Sequence, residues 1–195
     1  MDPRPYHHGD LRRALLEAAE DAVARSGPAA LSLRELARSA GVSHAAPAHH
    51  FGSKTGLLTA IGASGFAALA DALAAARATG DFAEVGAAYV AFAAERPGAF
   101  AVMFDVTLLD WSDPALQEAG GRARGELTRA VAAAAGGAPD PEAAELAAWS
   151  LVHGLAALSR GGMAPGGEDP AALARRVGAA VRLVTGATGD DRPAD

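Results

Sequence analysis

Apolar positions along the chain recur every three to four residues and nowhere alternate over a strand's length, which predicts an all-α protein with no strand and no internal repeat. From Asp10, the positions Leu11, Leu15, Ala18/Ala19 and Ala22/Val23 keep helical spacing until Gly27 and Pro28 break it. A second helix is predicted from Ser32, a good N-cap with Glu35 three residues on as in a capping box. It carries Leu33, Leu36 and Ala37 on one face and ends at Gly41. Ser43 is placed as the cap of a short third helix reaching about Phe51, with Pro47 at its fourth position, where at most one backbone hydrogen bond is lost. Ser53 caps a long fourth helix to about Ala78, striped by Leu58, Ile61, Phe66, Leu69 and Leu73. A fifth holds Phe82, Val85, Tyr89 and Phe92 and stops at Pro97. The stretch "GAFAVMFDVTLL" reads as a short apolar segment. Helices follow from near Pro114 to about Ala135, from Pro141 to about Leu158, and from about Pro170 to Val184; residues 188–195 read as a disordered tail.

Composition sharpens this picture. Hydrophobic residues make up 50% of the 195 but aromatics only 5%, so alanine, the best helix former, inflates the apolar share. The absence of cysteine excludes disulfides and thiolate metal sites and suits a reducing, cytoplasmic home. The N-terminus lacks a secretion signal, and the most apolar run, about 57–76, carries Asp71 and reads as a core helix and not a membrane span. The net charge of −6 is unevenly spread. Residues 1–60 hold seven Arg/Lys against six Asp/Glu, and 61–195 hold ten against seventeen. Any contact with a polyanion therefore belongs to the N-terminal third, where five of the six histidines also fall.

Three of those histidines sit in "VSHAAPAHHFGSK", residues 42–54. At about 100° per residue His44, His49 and His50 point roughly 0°, 140° and 240° around a helix, so no two share the i, i+4 face that chelation needs. No Ser, Cys or carboxylate stands at helical spacing to act as nucleophile or orienter, and paired carboxylates and phosphate-binding glycine loops are missing. Neither a metal, a cofactor nor a catalytic residue is expected. Contact with something external is left. In a helix-turn-helix, Ala37 is the small residue at the crossing, Gly41 the turn, and Leu36, Val42 and Pro47 the apolar side that holds the second helix. His44, Ala45 and His49 then face outward, able to enter the major groove of DNA. The Ser43 hydroxyl and the helix N-terminal amides suit phosphate, and Lys54 adds a point charge.

At these residues the chain resembles a known family. "LSLRELARSAGVSHAAPAHHFGSKTGLL", residues 31–58, resembles the DNA-binding domain of TetR-family transcription regulators, and "YHHGDLRRALLEAAEDAVARSG", residues 6–27, is similar to the helix that precedes it there. "AAWSLVHGLAAL", residues 147–158, is similar to the branch whose C-terminal domain carries a Trp-His-Gly signature. The resemblance implies an all-helical homodimer of about nine helices per subunit, with a DNA-binding domain over residues 1–54 and an effector-binding and dimerisation domain over 55–187. It implies DNA contacts from Ser32, Leu33, Ser43, His44, Ala45, Ala46, His49, His50 and Lys54. Two departures stand out: Ala48 occupies the place of a usual tyrosine, and His49 that of an arginine common in this branch. Weaker or more pH-sensitive DNA binding is expected from them.

In the C-terminal two-thirds the helix from Pro141 is apolar on two sides, Leu146, Trp149 and His153 on one and Leu151, Leu155 and Leu158 on the other, so it must satisfy two neighbours. The last helix shows Leu173, Val177, Val181 and Val184 at helical spacing. In the family these two helices pair with their copies as a four-helix bundle, and two recognition helices then meet an inverted-repeat operator. Tyr89, Phe92, Phe100, Met103, Phe104, Trp111 and Trp149 read either as ordinary core or as the lining for an apolar or aromatic small-molecule effector, with His153 as its polar contact. The resulting expectation is a ligand-responsive repressor of double-stranded DNA. An enzyme and an adaptor that has lost DNA binding are the competing classes.

Overall fold

The computed structural model describes residues 8–134, 140–164 and 169–186, which form nine helices and no strand. Helix α1 (His8–Ala30) buries Leu15, Ala19 and Val23, four residues apart on one face. It is interrupted at Gly27, whose φ of 77° only glycine adopts without strain, and Pro28 opens its last turn. Ser32 is extended and its Oγ accepts from the Glu35 amide at 3.5 Å to start α2 (Leu33–Ser39). The reciprocal half of the expected box is replaced, because the Glu35 carboxylate takes two bonds from Arg38 at 2.8 and 2.9 Å. Gly41, at φ 67°, turns the chain, and the Val42 amide closes on the Ala37 carbonyl at 3.0 Å.

Helix α3 (Ala46–Phe51) starts later than its sequence suggests. Ser43 does not cap it: its carbonyl accepts from the Ala46 amide at 3.0 Å, and the N-cap residue is Ala45, with no side-chain bond. Pro47 thereby falls in the first turn, where its missing N–H has no partner to lose and its fixed φ suits the helix. Ser53 does cap α4 (Lys54–Arg77), accepting from the Gly56 amide at 3.1 Å. Among the described residues α4 alone is long and apolar enough to cross a membrane, but Leu57, Leu58, Ile61, Phe66, Leu69 and Leu73 are buried inside the protein, as in a core helix.

Helix α5 (Phe82–Glu95) is followed by α6 (Pro97–Met103), within the stretch read from sequence only as an apolar segment. Then come α7 (Pro114–Ala134), α8 (Pro141–Arg160), capped by the Asp140 carboxylate, and α9 (Pro170–Gly186). The chain divides into two compact units, one of residues up to Ala68 with Arg96–Arg122, the other of Leu69–Glu95 with residues from Ala123 on. In the first, α1 packs on α2, α3 and α6. In the second, α5 packs on α8 and α9 and buries Val85, Tyr89, Val90 and Phe92. A helix so apolar around its circumference has to sit at the centre of its unit. The tail expected over 188–195 lies outside the described residues.

Candidate nucleic-acid interface

Two inward residues hold α3 in place. Pro47 and Phe51 are buried, α3 packs on α2, whose Leu36 and Ala37 are 4% and 0% exposed, and the Arg12 guanidinium of α1 lies 5.1 Å over the Phe51 ring. Such a braced helix loses little further entropy when its other side is bound. That other side is open. Ser43, His44, Ala45, Ala48 and His49 are exposed, while Ala46 and His50 are half-buried. The His50 ring meets His49 edge-on at 5.5 Å and Phe51 at 6.3 Å. Ser32 is exposed and Leu33 half-buried at the start of α2. Among the described residues no three His, Asp or Glu side chains are grouped to hold a metal ion.

Lys54 is committed elsewhere than its sequence suggests. Its ammonium donates to the Ala29 carbonyl at 2.7 Å and ties the start of α4 to the last turn of α1. Its charge still lies beside α3, but a groove contact from this rotamer needs the ammonium to leave that bond.

The residues considered for an effector fall into two groups, one in each unit. In the first unit Phe100 and Met103 are buried and Phe104 half-buried. Phe104 meets Phe66 and Phe100 edge-on at 5.5 and 5.3 Å, and Trp111, 39% exposed, meets Phe66 at 6.4 Å. In the second unit Phe92 is buried, and Trp149 and His153 converge on Tyr89, one of the aromatic residues that the sequence groups with them as core or effector lining. The Tyr89 hydroxyl accepts from Trp149 Nε1 at 3.4 Å and shares a hydrogen bond of 2.9 Å with His153 Nδ1. Burial pushes the Tyr89 phenol well above its ordinary range and His153 below its own. Which of the two donates follows the imidazole tautomer, with Tyr89 donating where Nδ1 carries no proton. The available signal was a lone tyrosine on an otherwise apolar helix, since a buried phenol needs a partner.

Helix α8 buries only Ala156. Leu151 and Leu155 are half-buried, and Leu146, Trp149 and Leu158 are 61%, 40% and 43% exposed. On α9 Leu173 is buried and Val177 half-buried; the side chains of Val181 and Val184 lie outside the described residues.

The family model for bacterial regulatory proteins, tetR family, matches residues 15–61, and that for a tetracyclin repressor-like C-terminal domain matches residues 82–181. The chain belongs to the TetR family. A protein of unknown function from Rhodococcus sp. RHA1 is 37% identical, with a TM-score of 0.76 over 94% of this chain and 98% of that one. A bacterial regulatory protein of the tetR family from Rhodococcus RHA1 is 26% identical, TM-score 0.69, over 89% and 96% of the two chains. The transcriptional regulator PfmR of Thermus thermophilus, 22% identical with a TM-score of 0.69 over 84% and 93%, shares the fold. None of the curated proteins matches the chain. TetR-family proteins are DNA-binding transcriptional regulators, and this chain is one of that class. The match over residues 15–61 takes in α2 and α3 whole.

Proposed function

We propose that the protein is a ligand-responsive repressor that binds an inverted-repeat operator as a homodimer in the cytoplasm and is released by a small apolar or aromatic effector. The observation that carries it is a short helix braced on one side by Leu36, Ala37, Pro47 and Phe51 and open on the other at His44 and His49. Residues 1–54 form the DNA-binding part. His44, Ala45, Ala46 and His49 read base edges, His50 supports the helix, and Ser32, Leu33, Ser43 and, once its ammonium swings free, Lys54 position the backbone. Residues 55–187 carry effector binding and dimerisation. Leu151, Leu155 and Leu158 on α8, with Val177, Val181 and Val184 on α9, meet their copies in the second subunit, and Leu173, buried within its own chain, supports that face from behind. Trp149, His153 and Gly154 support the reading that the chain belongs to the Trp-His-Gly branch.

Effector contact is assigned to the two groups taken separately: Phe100, Met103 and Phe104 in one unit, Phe92, Trp149 and His153 in the other. Buried rings such as Phe92 and Phe100 become available only if a cavity opens. The ligand must therefore prefer the state that binds DNA poorly by a few kcal/mol, since equal affinity for both states shifts nothing. The decisive experiment selects bound duplexes from a random pool, maps protection on the selected sequence, and screens apolar and aromatic compounds for release. Protection of an inverted repeat that weakens with salt is expected. Failure to enrich any sequence would return the protein to the adaptor class, and selection without release by any compound would remove the effector.

A further inference from the structure

Arg96 joins three helices of the first unit. Its Nε donates to Glu20 Oε1 on α1 at 2.9 Å and its Nη2 to Glu20 Oε2, a two-pronged ion pair. Nη1 and Nη2 also reach the carbonyl and the hydroxyl of Ser64 on α4, each at 3.3 Å. Arg96 is itself the N-cap residue of α6. The pair is largely withdrawn from water, with side chains 28% and 14% exposed. The backbones around it leave no slack. A Cβ at Gly98 on α6 would stand 2.2 Å from the Glu20 carbonyl oxygen, and one at Gly65 on α4 would stand 2.5 Å from Met103 Sδ on α6. Helix α6 thus lies directly against the α1 backbone at Gly98, while Gly65 of α4 lets the side chains of Met103 and Ala99 close on α4. A planar fork meeting a carboxylate in two places is either kept or broken when its helices move.

We propose that Arg96 is a positioning residue that couples DNA binding by α2 and α3 to α6, through its joint grip on Glu20 and Ser64. Helix α1 carries both ends of the route, since it packs on α2 and α3 as well as on α6. Coupling of this kind is reciprocal: whatever α6 does to operator affinity, operator binding does to α6. The inference rests on the reading that α2 and α3 bind DNA, and it is testable without knowing the effector.

The test follows amide hydrogen exchange in the full-length protein, alone, with the duplex selected from a random pool, and with a scrambled duplex. In the wild type the selected duplex should slow exchange in residues 33–51 by direct cover. It should also slow residues 98–103 at least about fivefold, the lower end of ordinary coupling. In Arg96→Gln the first effect should persist and the second vanish. Arg96→Lys, which can meet Glu20 but cannot span to Ser64, should fall between. If Arg96→Gln does not fold, Arg96→Lys and Ser64→Ala decide, each expected to lose part of the slowing at 98–103. A merely structural role would lower the melting temperature of the variants and leave the DNA-induced slowing of α6 intact. Wild-type α6 amides that ignore the selected duplex overturn the proposal while the DNA reading stands. If no duplex covers residues 33–51, the DNA reading has failed and the proposal falls with it.

Discussion

Helices α3 and α8 each leave one face uncovered, and the chemistry of the two faces differs. Helix α3 turns Pro47 and Phe51 inward and offers imidazoles and small alanines outward, a surface at ease in water and able to exchange it for phosphates and base edges. Helix α8 buries Ala156 and leaves Leu158 well exposed in line with the half-buried Leu151 and Leu155, while Leu146 is exposed on its other side. Leu151, Leu155 and Leu158 fall within roughly 60° of one another at 100° per residue, so they form one stripe. Single exposed leucines are ordinary, whereas a stripe along a helix favours cover by another protein surface. On the proposed reading one face serves a wet, charged polymer and the other a dry partner. Breaking one should not unfold the other.

The largest effect tests the dry face. Leu158→Asp would bury two carboxylates per dimer at roughly 2 to 3 kcal/mol each, weakening association on the order of 1000-fold. Light scattering should report monomer at micromolar concentration, circular dichroism an intact helical content, and the operator should be lost with the dimer. A variant that stays dimeric would place the interface elsewhere. Next comes the support of the wet face. Leu36→Ala deletes a side chain only 4% exposed and should cost about 3 kcal/mol in denaturant titrations. His49→Ala, on the open side of the same motif, should change stability by less than about 0.5 kcal/mol while lowering operator affinity. Equal stability costs for the two would mean that α3 is not held in the way its burial indicates.

The difference between the faces also explains how much the sequence discloses. The head is local. The break at Gly27 and Pro28, the Ser32 cap and the Gly41 turn are each written within a few residues, and the outward histidines follow from where Pro47 and Phe51 must go. Errors of detail came from competition at single positions: Ser43 is chemically suited to cap, but a proline at 47 moves the helix start to Ala46. Helix α6 was hidden because "PGAFAVM" is apolar on all sides and too short to show a period. The bonds that tie elements together are not readable at all from local pattern. Lys54 meets Ala29 across 25 residues, Tyr89 meets His153 across 64, and Arg96 meets Glu20 across 76. Half of the dry face's meaning lies in a second chain, which no periodicity within one chain describes.

A smaller effect sharpens the wet face. His49→Arg supplies a fixed charge where the imidazole's depends on pH. One added phosphate contact per protomer should steepen the logarithmic salt dependence of operator binding by about 2 for the dimer and raise affinity about tenfold at low salt. Fluorescence anisotropy with labelled operator measures both, and an unchanged salt dependence would show that His49 does not face the DNA.

The smallest effect belongs to the dry side, where the only histidine of the second unit has been drawn into a hydrogen-bonded chain. Trp149 donates to the Tyr89 oxygen, and the Tyr89 hydroxyl shares a hydrogen bond with His153 Nδ1 in which it donates when Nδ1 carries no proton. Burial lowers the affinity of His153 for a proton in the folded protein, while the unfolded chain binds one at the ordinary imidazole value. The unfolded state therefore holds more protons as pH falls through and below about 6.5, so this contribution to stability is present at neutral and higher pH and is lost on acidification. His153→Asn keeps an acceptor for Tyr89 near the position of Nδ1 and removes the titration. The ring is half-exposed and partly screened by water, so the consequence is modest. The melting temperature should drop between pH 7 and pH 5 by about 2 °C less in the variant than in the wild type. Identical drops would mean that His153 charges freely in the folded protein, and that the Tyr89 hydroxyl is not committed to it.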